Sequence, residues 1–222
     1  QHIVRSCVFS QDSKRLATGG KEALLRVFDL AKLLLDKKNT EAKSPSVQIK
    51  QEAPITKLVY TSLNVILVAC ANGKIYQWDL ASSSGTGTLI HTFDTQQTSE
   101  IRDVDILTIP SSGQQVMTVA AGTKVYFWDL TTKELLKEYT MPIHFREEGG
   151  AALHPSGTKF VAGGSDLWVR VFDFATGEEL ECHKGHHGPI RCVRYSPDGE
   201  VYATGSEDGT IRLWKTDPVD PQ

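Results

Sequence analysis

Residues 185–216 read GHHGPIRCVRYSPDGEVYATGSEDGTIRLWKT. Two alternating runs, IRCVRY and VYATGS, flank the turn sequence SPDGE, and a second turn, EDG, leads into TIRLWKT. Alternation with a period of two marks a half-buried strand. Pro197 and Gly199 suit a tight turn, and Asp208-Gly209 is a strong hairpin signal. The stretch therefore predicts three antiparallel strands, and GEELECHK just before it predicts the outer strand of a preceding unit.

The same pattern recurs along the chain. RVFDL ends at Leu30, YQWDL at Leu80, YFWDL at Leu130, RVFDF at Phe174, and RLWKT at Thr216. The matched, blade-closing aromatics are Phe28, Trp78, Trp128, Phe172 and Trp214, spaced by 50, 50, 44 and 42 residues. Four short antiparallel strands repeated at this period indicate β-propeller blades. The units run from about 1–50, 51–94, 95–140, 141–184 and 185–216, with a tail at 217–222. AKLLLDKKNTEAK is the one helix-like stretch. It sits between the third and fourth strands of the first unit, where ASSSGTG in the second reads as loop.

Composition narrows the function. The 222 residues are 40% hydrophobic and 23% charged, with a formal net charge of −3, which argues against bulk electrostatic binding of nucleic acid. No run approaches 18 apolar residues, so no membrane insertion is expected. Cys7, Cys70, Cys182 and Cys192 form no C-x-x-C pair and read as free, mostly buried thiols. No P-loop occurs, and GGSD and TGSEDGT close β turns rather than cradle phosphate. The histidines lack metal spacing, and the acid pairs Glu147-Glu148 and Glu178-Glu179 lack partner geometry. No catalytic, metal-binding or cofactor-binding residue is assigned, and no cofactor is expected.

The Gly-His start and Trp-terminated end of residues 185–216 resemble a WD40 blade. That resemblance implies a structural tetrad of His186, Ser206, Asp208 and Trp214, with hydrogen bonds running from indole through hydroxyl and imidazole to carboxylate. The donors and acceptors suit it. A Ser-His-Asp catalytic triad is the competing reading, but this serine sits in a repeated strand beside the indole, without the exposure a nucleophile needs. At the places of Ser206 and Asp208 the other units carry Gly20 and Glu22, Cys70 and Asn72, Ala120 and Gly122, and Gly164 and Asp166. They are expected to rely on apolar interlocking. Lys215 replaces the usual Asp after Trp214.

Four stretches, QHIVRSCVFSQDSKRLATGG, FVAGGSDLWVRVFDFATGEEL, KGHHGPIRCVRYSPDGE and YATGSEDGTIRLW, resemble the serine/threonine kinase receptor-associated (unr-interacting) protein family. MPIHF, opening the fourth unit, does too, while the long connection of the first unit departs. The small WD-repeat subunit of translation initiation factor 3 is a second relative, with a poorer match at GHHGPIRCVRYSPDGE. The resemblance implies a non-catalytic adaptor with seven blades, of which five are seen; because nothing in these residues supplies a closing strand, two more are expected upstream, a closed five-blade ring being the competing reading. It implies service in Sm-core assembly on small nuclear RNAs, hence in mRNA splicing and the SMN complex, and in kinase-receptor signalling. Location is expected to be cytoplasmic, with nuclear access. In WD40 proteins the residue after the first apolar position of each inner strand lies on the top face; here these are Arg5, Thr56, Arg102 and Arg191. They read either as scattered rim arginines or as a basic face for an acidic segment of a protein partner, ribonucleoprotein assembly factors included. Direct nucleic-acid binding is the lesser alternative because no aromatics interleave them.

Overall fold

The computed structural model describes residues 3–35, 44–81, 85–145 and 149–216. Glu147-Glu148, the tail and the middle of the first unit's long connection lie outside them. The chain divides into two halves, Gln1–Ile101 and Arg102–Gln222.

The first half holds two four-stranded antiparallel sheets, each in sequence order. Blade I comprises β1 (Val4–Phe9), β2 (Arg15–Gly20), β3 (Leu24–Asp29) and β4 (Val47–Lys50), with the short helix α1 (Leu30–Leu35) after β3. Blade II comprises β5 (Ile55–Tyr60), β6 (Val65–Cys70), β7 (Lys74–Asp79) and β8 (Thr88–Asp94). The second half holds three sheets. Blade III has β9 (Ile101–Thr108), β10 (Gln115–Asp129) and β11 (Leu135–Phe145). Leu130 N donates to Gln115 O at 2.9 Å, so β10 doubles back near Gly122 (φ +61°) and supplies two strands. Blade IV has β12 (Gly150–Leu153), β13 (Lys159–Gly163), β14 (Trp168–Asp173) and β15 (Glu179–Lys184). Blade V has β16 (Ile190–Tyr195), β17 (Val201–Ser206) and β18 (Ile211–Lys215). Unlike the others it has no fourth strand among the described residues. The all-β, repeated-blade organisation is that of a WD40 β-propeller.

One boundary differs from the sequence reading. MPIHF does not open blade IV but extends β11, with Met141, Ile143 and Phe145 buried at alternate positions. Those three side chains join the apolar cluster that Phe127 of blade III shares with Phe160 of blade IV, and the pairing of Phe145 with Gly122 of β10 is what carries the segment on from blade III. Blade IV opens at Gly150.

The repeat has a steric logic. Gly19 in β2 and Gly163 in β13 occupy equivalent places; a Cβ there would lie 2.8 Å from the Ile55 side chain and 2.9 Å from that of Ile190. The missing side chain lets the next blade's first apolar residue seat fully. Ile55 and Ile190 are both 0% exposed, worth roughly 1.5–3 kcal/mol each. The aspartate after the closing aromatic has a local task. Asp29, Asp79, Asp129 and Asp173 each accept the backbone N–H two residues on, capping the turn into the fourth strand.

Candidate functional site

Blade V carries a polar relay that runs from the closing indole to a carboxylate. Trp214 Nε1–H donates to Thr204 Oγ1 (2.8 Å), Thr204 bonds His186 Nε2 (2.7 Å), and His186 Nδ1 bonds Asp208 Oδ2 (3.0 Å). One tautomer satisfies the chain: Thr204 donates to Nε2, and Nδ1–H donates to the carboxylate. Asp208 Oδ2 also accepts the His187 N–H (2.9 Å), and Oδ1 accepts the Thr210 hydroxyl (2.6 Å) and N–H (2.8 Å). These bonds, the Thr210 hydroxyl foremost and the His187 N–H next, hold the Asp208 carboxyl well below the ordinary carboxylate range. The His186 side chain has no exposure. The relay thus ties the Gly185–Gly188 loop to the β17–β18 hairpin, and its histidine faces no solvent.

The hydroxyl in that relay is Thr204 rather than Ser206. Trp214 pairs in register with Tyr202. Thr204 is two residues along β17 and Ser206 four, about 13 Å at strand rise. That distance puts Ser206 beyond the indole. Its hydroxyl instead donates to Gly188 O (2.7 Å) and accepts the Asp208 N–H (3.2 Å), pinning the same loop from the hairpin end.

The other blades place Thr18, Val68, Val119 and Ala162 where blade V has Thr204. In blade III the shorter hairpin sets Ala121, not Ala120, at the place of Ser206; counting back from Trp128 misses the lost turn residue. Nor are these blades held by apolar contacts alone. Glu22 pairs with Arg26 (2.6 Å), Asn72 Nδ2 donates to Tyr76 Oη (3.2 Å), and Asp166 pairs with Arg170. The turn residue equivalent to Asp208 is therefore spent on the third strand. Gln51 precedes Ile55 by four residues, as His186 precedes Ile190, and its Oε1 accepts the Trp78 Nε1–H (3.3 Å). Counting four back from each buried isoleucine is the signal that finds Gln51.

The closing aromatics share one register. Phe28, Trp78, Phe172 and Trp214 face Leu16, Ile66, Phe160 and Tyr202 on the second strand. Trp128 is 5% exposed and stacks on Tyr126 (5.2 Å).

The ladder between the first two strands slips between Val4 and Ser6, Ile55 and Lys57, and Ile190 and Cys192. Arg5, Thr56 and Arg191 are thus the extra residues of β-bulges, which turn a side chain out of the ladder. Their chemistry is partly spent. Arg5 pairs with Glu100 (3.4 Å), Arg191 with Glu207, and Thr56 Oγ1 donates to Ala69 O (3.2 Å). Arg102 is half-buried in β9. Each exposed arginine of the set thus meets an acid within its own half of the chain.

Arg194 went unnoticed in the sequence. It forks onto Asp103 (2.6 and 2.8 Å) from 91 residues away and reaches Asp105 (3.3 Å). Gly150 lies beneath: a Cβ there would come within 2.7 Å of Asp103 Oδ2. Cysteine exposure also differs from expectation. Only Cys70 is buried, while Cys7, Cys182 and Cys192, on inner strand β1, outer strand β15 and inner strand β16, are exposed. Among the described residues no group of three His, Cys, Asp or Glu side chains gathers to hold a metal ion, and no helix is long and apolar enough to cross a membrane.

The family model for the WD domain, G-beta repeat, matches residues 1–29 and 177–215. The chain is 37% identical over 218 residues to the serine-threonine kinase receptor-associated protein of Dictyostelium discoideum, covering 97% of this chain and 67% of that one. It is 36% identical over 221 residues to the Gallus gallus protein of the same name, covering 97% of this chain and 56% of the relative. Subunit I of eukaryotic translation initiation factor 3 from Bombyx mori is 28% identical over 233 residues, covering 96% and 67%. The chain spans between about half and two thirds of the length of the curated relatives it matches.

Proposed function

Since the chain belongs to the serine-threonine kinase receptor-associated protein family of WD40-repeat proteins, we propose that it is a non-catalytic adaptor whose blades hold protein partners. The observation that carries this reading is the enclosed relay of blade V. The one set of hydroxyl, imidazole and carboxylate that could resemble a hydrolase spends its bonds on structure, with no exposure at His186. A nucleophile must meet its substrate. What remains open to partners, in each half by itself, is the exposed bulge arginine (Arg5 in the first, Arg191 in the second) and the hairpin turns, where binding residues usually sit. By family, the partners are assembly factors of the small nuclear ribonucleoprotein core and kinase-receptor chains, met in the cytoplasm and the nucleus. The translation-factor reading rests on a relative of lower identity.

The test is affinity purification of the tagged full-length protein, with and without nuclease. Protein partners should survive nuclease. The double variant Arg5→Ala, Arg191→Ala should lose capture severalfold while melting almost as wild type, because exposed ion pairs contribute about 0–1 kcal/mol. Loss of every partner on nuclease treatment would replace the protein-adaptor reading with an RNA-binding one. Ester hydrolysis abolished by His186→Ala would replace it with an enzyme.

A further inference from the structure

The β13–β14 turn of blade IV departs from its counterparts in two linked ways. At its left-handed position blades II and V carry glycine, Gly73 (φ +77°) and Gly209 (φ +78°), and blade I carries the small Ala23 (φ +56°). Blade IV carries Leu167 at φ +71°. A bulky residue there is strained, and strain of this kind collects at functional positions. The next residue is Leu24, Lys74 or Thr210 in those blades and Trp168 in blade IV. Trp168 is 37% exposed, a large indole left open at the tip of a hairpin.

Its surroundings fix the ring. Trp168 pairs across the ladder with Lys184, whose ammonium stands 4.1 Å from the ring centroid. The Arg170 guanidinium lies 5.2 Å from it. Arg170 is itself held by Asp166 and by Glu179 (3.1 Å), with its side chain 7% exposed. Its charge is therefore spent and its geometry set. Lys184 is exposed and has no anionic partner among the described residues. The patch thus presents one uncommitted cation beside a preorganised aromatic surface, the composition of a binding hot spot.

We propose that Trp168 and Lys184 form a docking point for an acidic protein segment, one carboxylate meeting the Lys184 ammonium while an adjacent apolar side chain packs on the open part of the indole. The inference rests on the adaptor reading above and names one of its contact sites. Charge decides for a peptide over nucleic acid. A single-stranded nucleic acid needs a track of cations along its backbone as well as a stacking ring. Here Asp166 and Glu179 share the Arg170 guanidinium and the four charges, with Lys184, sum to zero, so there is no cationic track; of the four, Lys184 alone stands outside an ion pair, a single contact point for one carboxylate.

Fluorescence anisotropy on the full chain tests this with three labelled probes: a 12-residue peptide carrying glutamates beside phenylalanine, the same peptide with lysine for glutamate, and a 12-nucleotide oligouridine. The acidic peptide should bind at least tenfold tighter than the lysine peptide. Trp168→Ala and Lys184→Ala should each weaken it about tenfold; Lys184→Ala should leave the melting temperature unchanged because that side chain is exposed, whereas Trp168→Ala, which removes a ring only 37% exposed, should also lower it somewhat. Trp168→Phe should recover part of the loss. Equal binding of the two peptides, variants that bind as wild type, or oligouridine held more tightly through Trp168 would each overturn the proposal. If the nuclease-resistant partners still co-purify with Trp168→Ala and the peptide ignores the substitution, this site falls and the adaptor reading stands. If no protein partner survives nuclease, the adaptor reading falls by itself.

Discussion

Blades IV and V fold on the same ladder with different chemistry. In blade V, Trp214 faces Tyr202 with ring centroids 6.3 Å apart and 16° between planes, and Thr204, His186 and Asp208 extend the indole into a polar relay. In blade IV, Phe172 faces Phe160 at 5.1 Å and 17°. Ala162 stands in Thr204's place, no hydroxyl is present, and Asp166 turns to Arg170. The stacked ring pair is common to both; the relay is an addition. Apolar packing compensates in blade IV, where Phe160 also meets Phe127 (5.0 Å) and Tyr139 (5.7 Å). The burial patterns agree. The second strand of blade IV is buried at four consecutive residues, whereas that of blade V alternates.

Removing each blade's own device should separate them. Phe160→Ala takes a fully buried ring out of the blade IV cluster and should cost about 3–5 kcal/mol, read as a lowered urea midpoint. Thr204→Val keeps the shape of blade V but strands the indole N–H and the imidazole Nε2, and should cost about 2–3 kcal/mol. Ser206→Ala removes the bond to Gly188 O and should cost about 0.5–1.5 kcal/mol. Ser206→Ala costing as much as Thr204→Val would contradict the relay's assignment to Thr204.

Acid should act on blade V before blade IV's aromatic stack. Asp208 has its pKa depressed by the Thr210 hydroxyl, the His187 N–H and the Thr210 N–H, with His186 last. A carboxyl depressed in the folded state stabilises it above the unfolded value near 3.8, and that contribution is lost as pH falls through the folded value. Stability should therefore hold above about pH 4 and decline below it. Asp208→Asn should flatten that acid limb, and Phe160→Ala should lower the whole curve without changing its slope. Thermal melts from pH 2.5 to 7 check both. An Asp208→Asn limb as steep as wild type would assign the acid sensitivity to Asp12, Asp129, Asp173 and Asp198, which are also depressed.

The ladder was legible in the sequence because strand alternation and the closing aromatics are local signals of fixed spacing. Phe28, Trp78, Phe172 and Trp214 all occupy the register that spacing implied. What was hidden depends on distances across strands. Thr204 and Ser206 lie on the same face of β17, so periodicity cannot choose between two hydroxyls; the reach of the indole can. MPIHF looked like a new blade because its alternation is strand-like, but the strand it continues is fixed by a cross-strand pairing, Phe145 with Gly122, that alternation alone does not reveal. The arginines at 5 and 191 were visible as charges, while their partners Glu100 and Glu207 became visible only through the bulges that aim them. Arg194 and Asp103, 91 residues apart, carried no local mark.

The smallest expected effect exchanges the turns of the two blades. Leu167 sits at φ +71° and Gly209 at φ +78°, the same position in consecutive hairpins. A left-handed backbone costs a side-chain-bearing residue roughly 1–2 kcal/mol, and glycine gives back about 0.5–1 kcal/mol through its freer unfolded chain. Leu167→Gly should therefore raise stability by about 0.5–1 kcal/mol, and Gly209→Ala should lower it by a similar amount, since a Cβ at Gly209 meets nothing within 4 Å and only the backbone responds. The two melting temperatures should shift in opposite directions. A Leu167→Gly variant that melts no higher than wild type would mean that leucine's side-chain contacts offset the strain, so that blade IV holds its turn by packing as it holds its core. A rise accompanied by weaker binding of the acidic peptide would show instead that the strained turn is what keeps Trp168 presented.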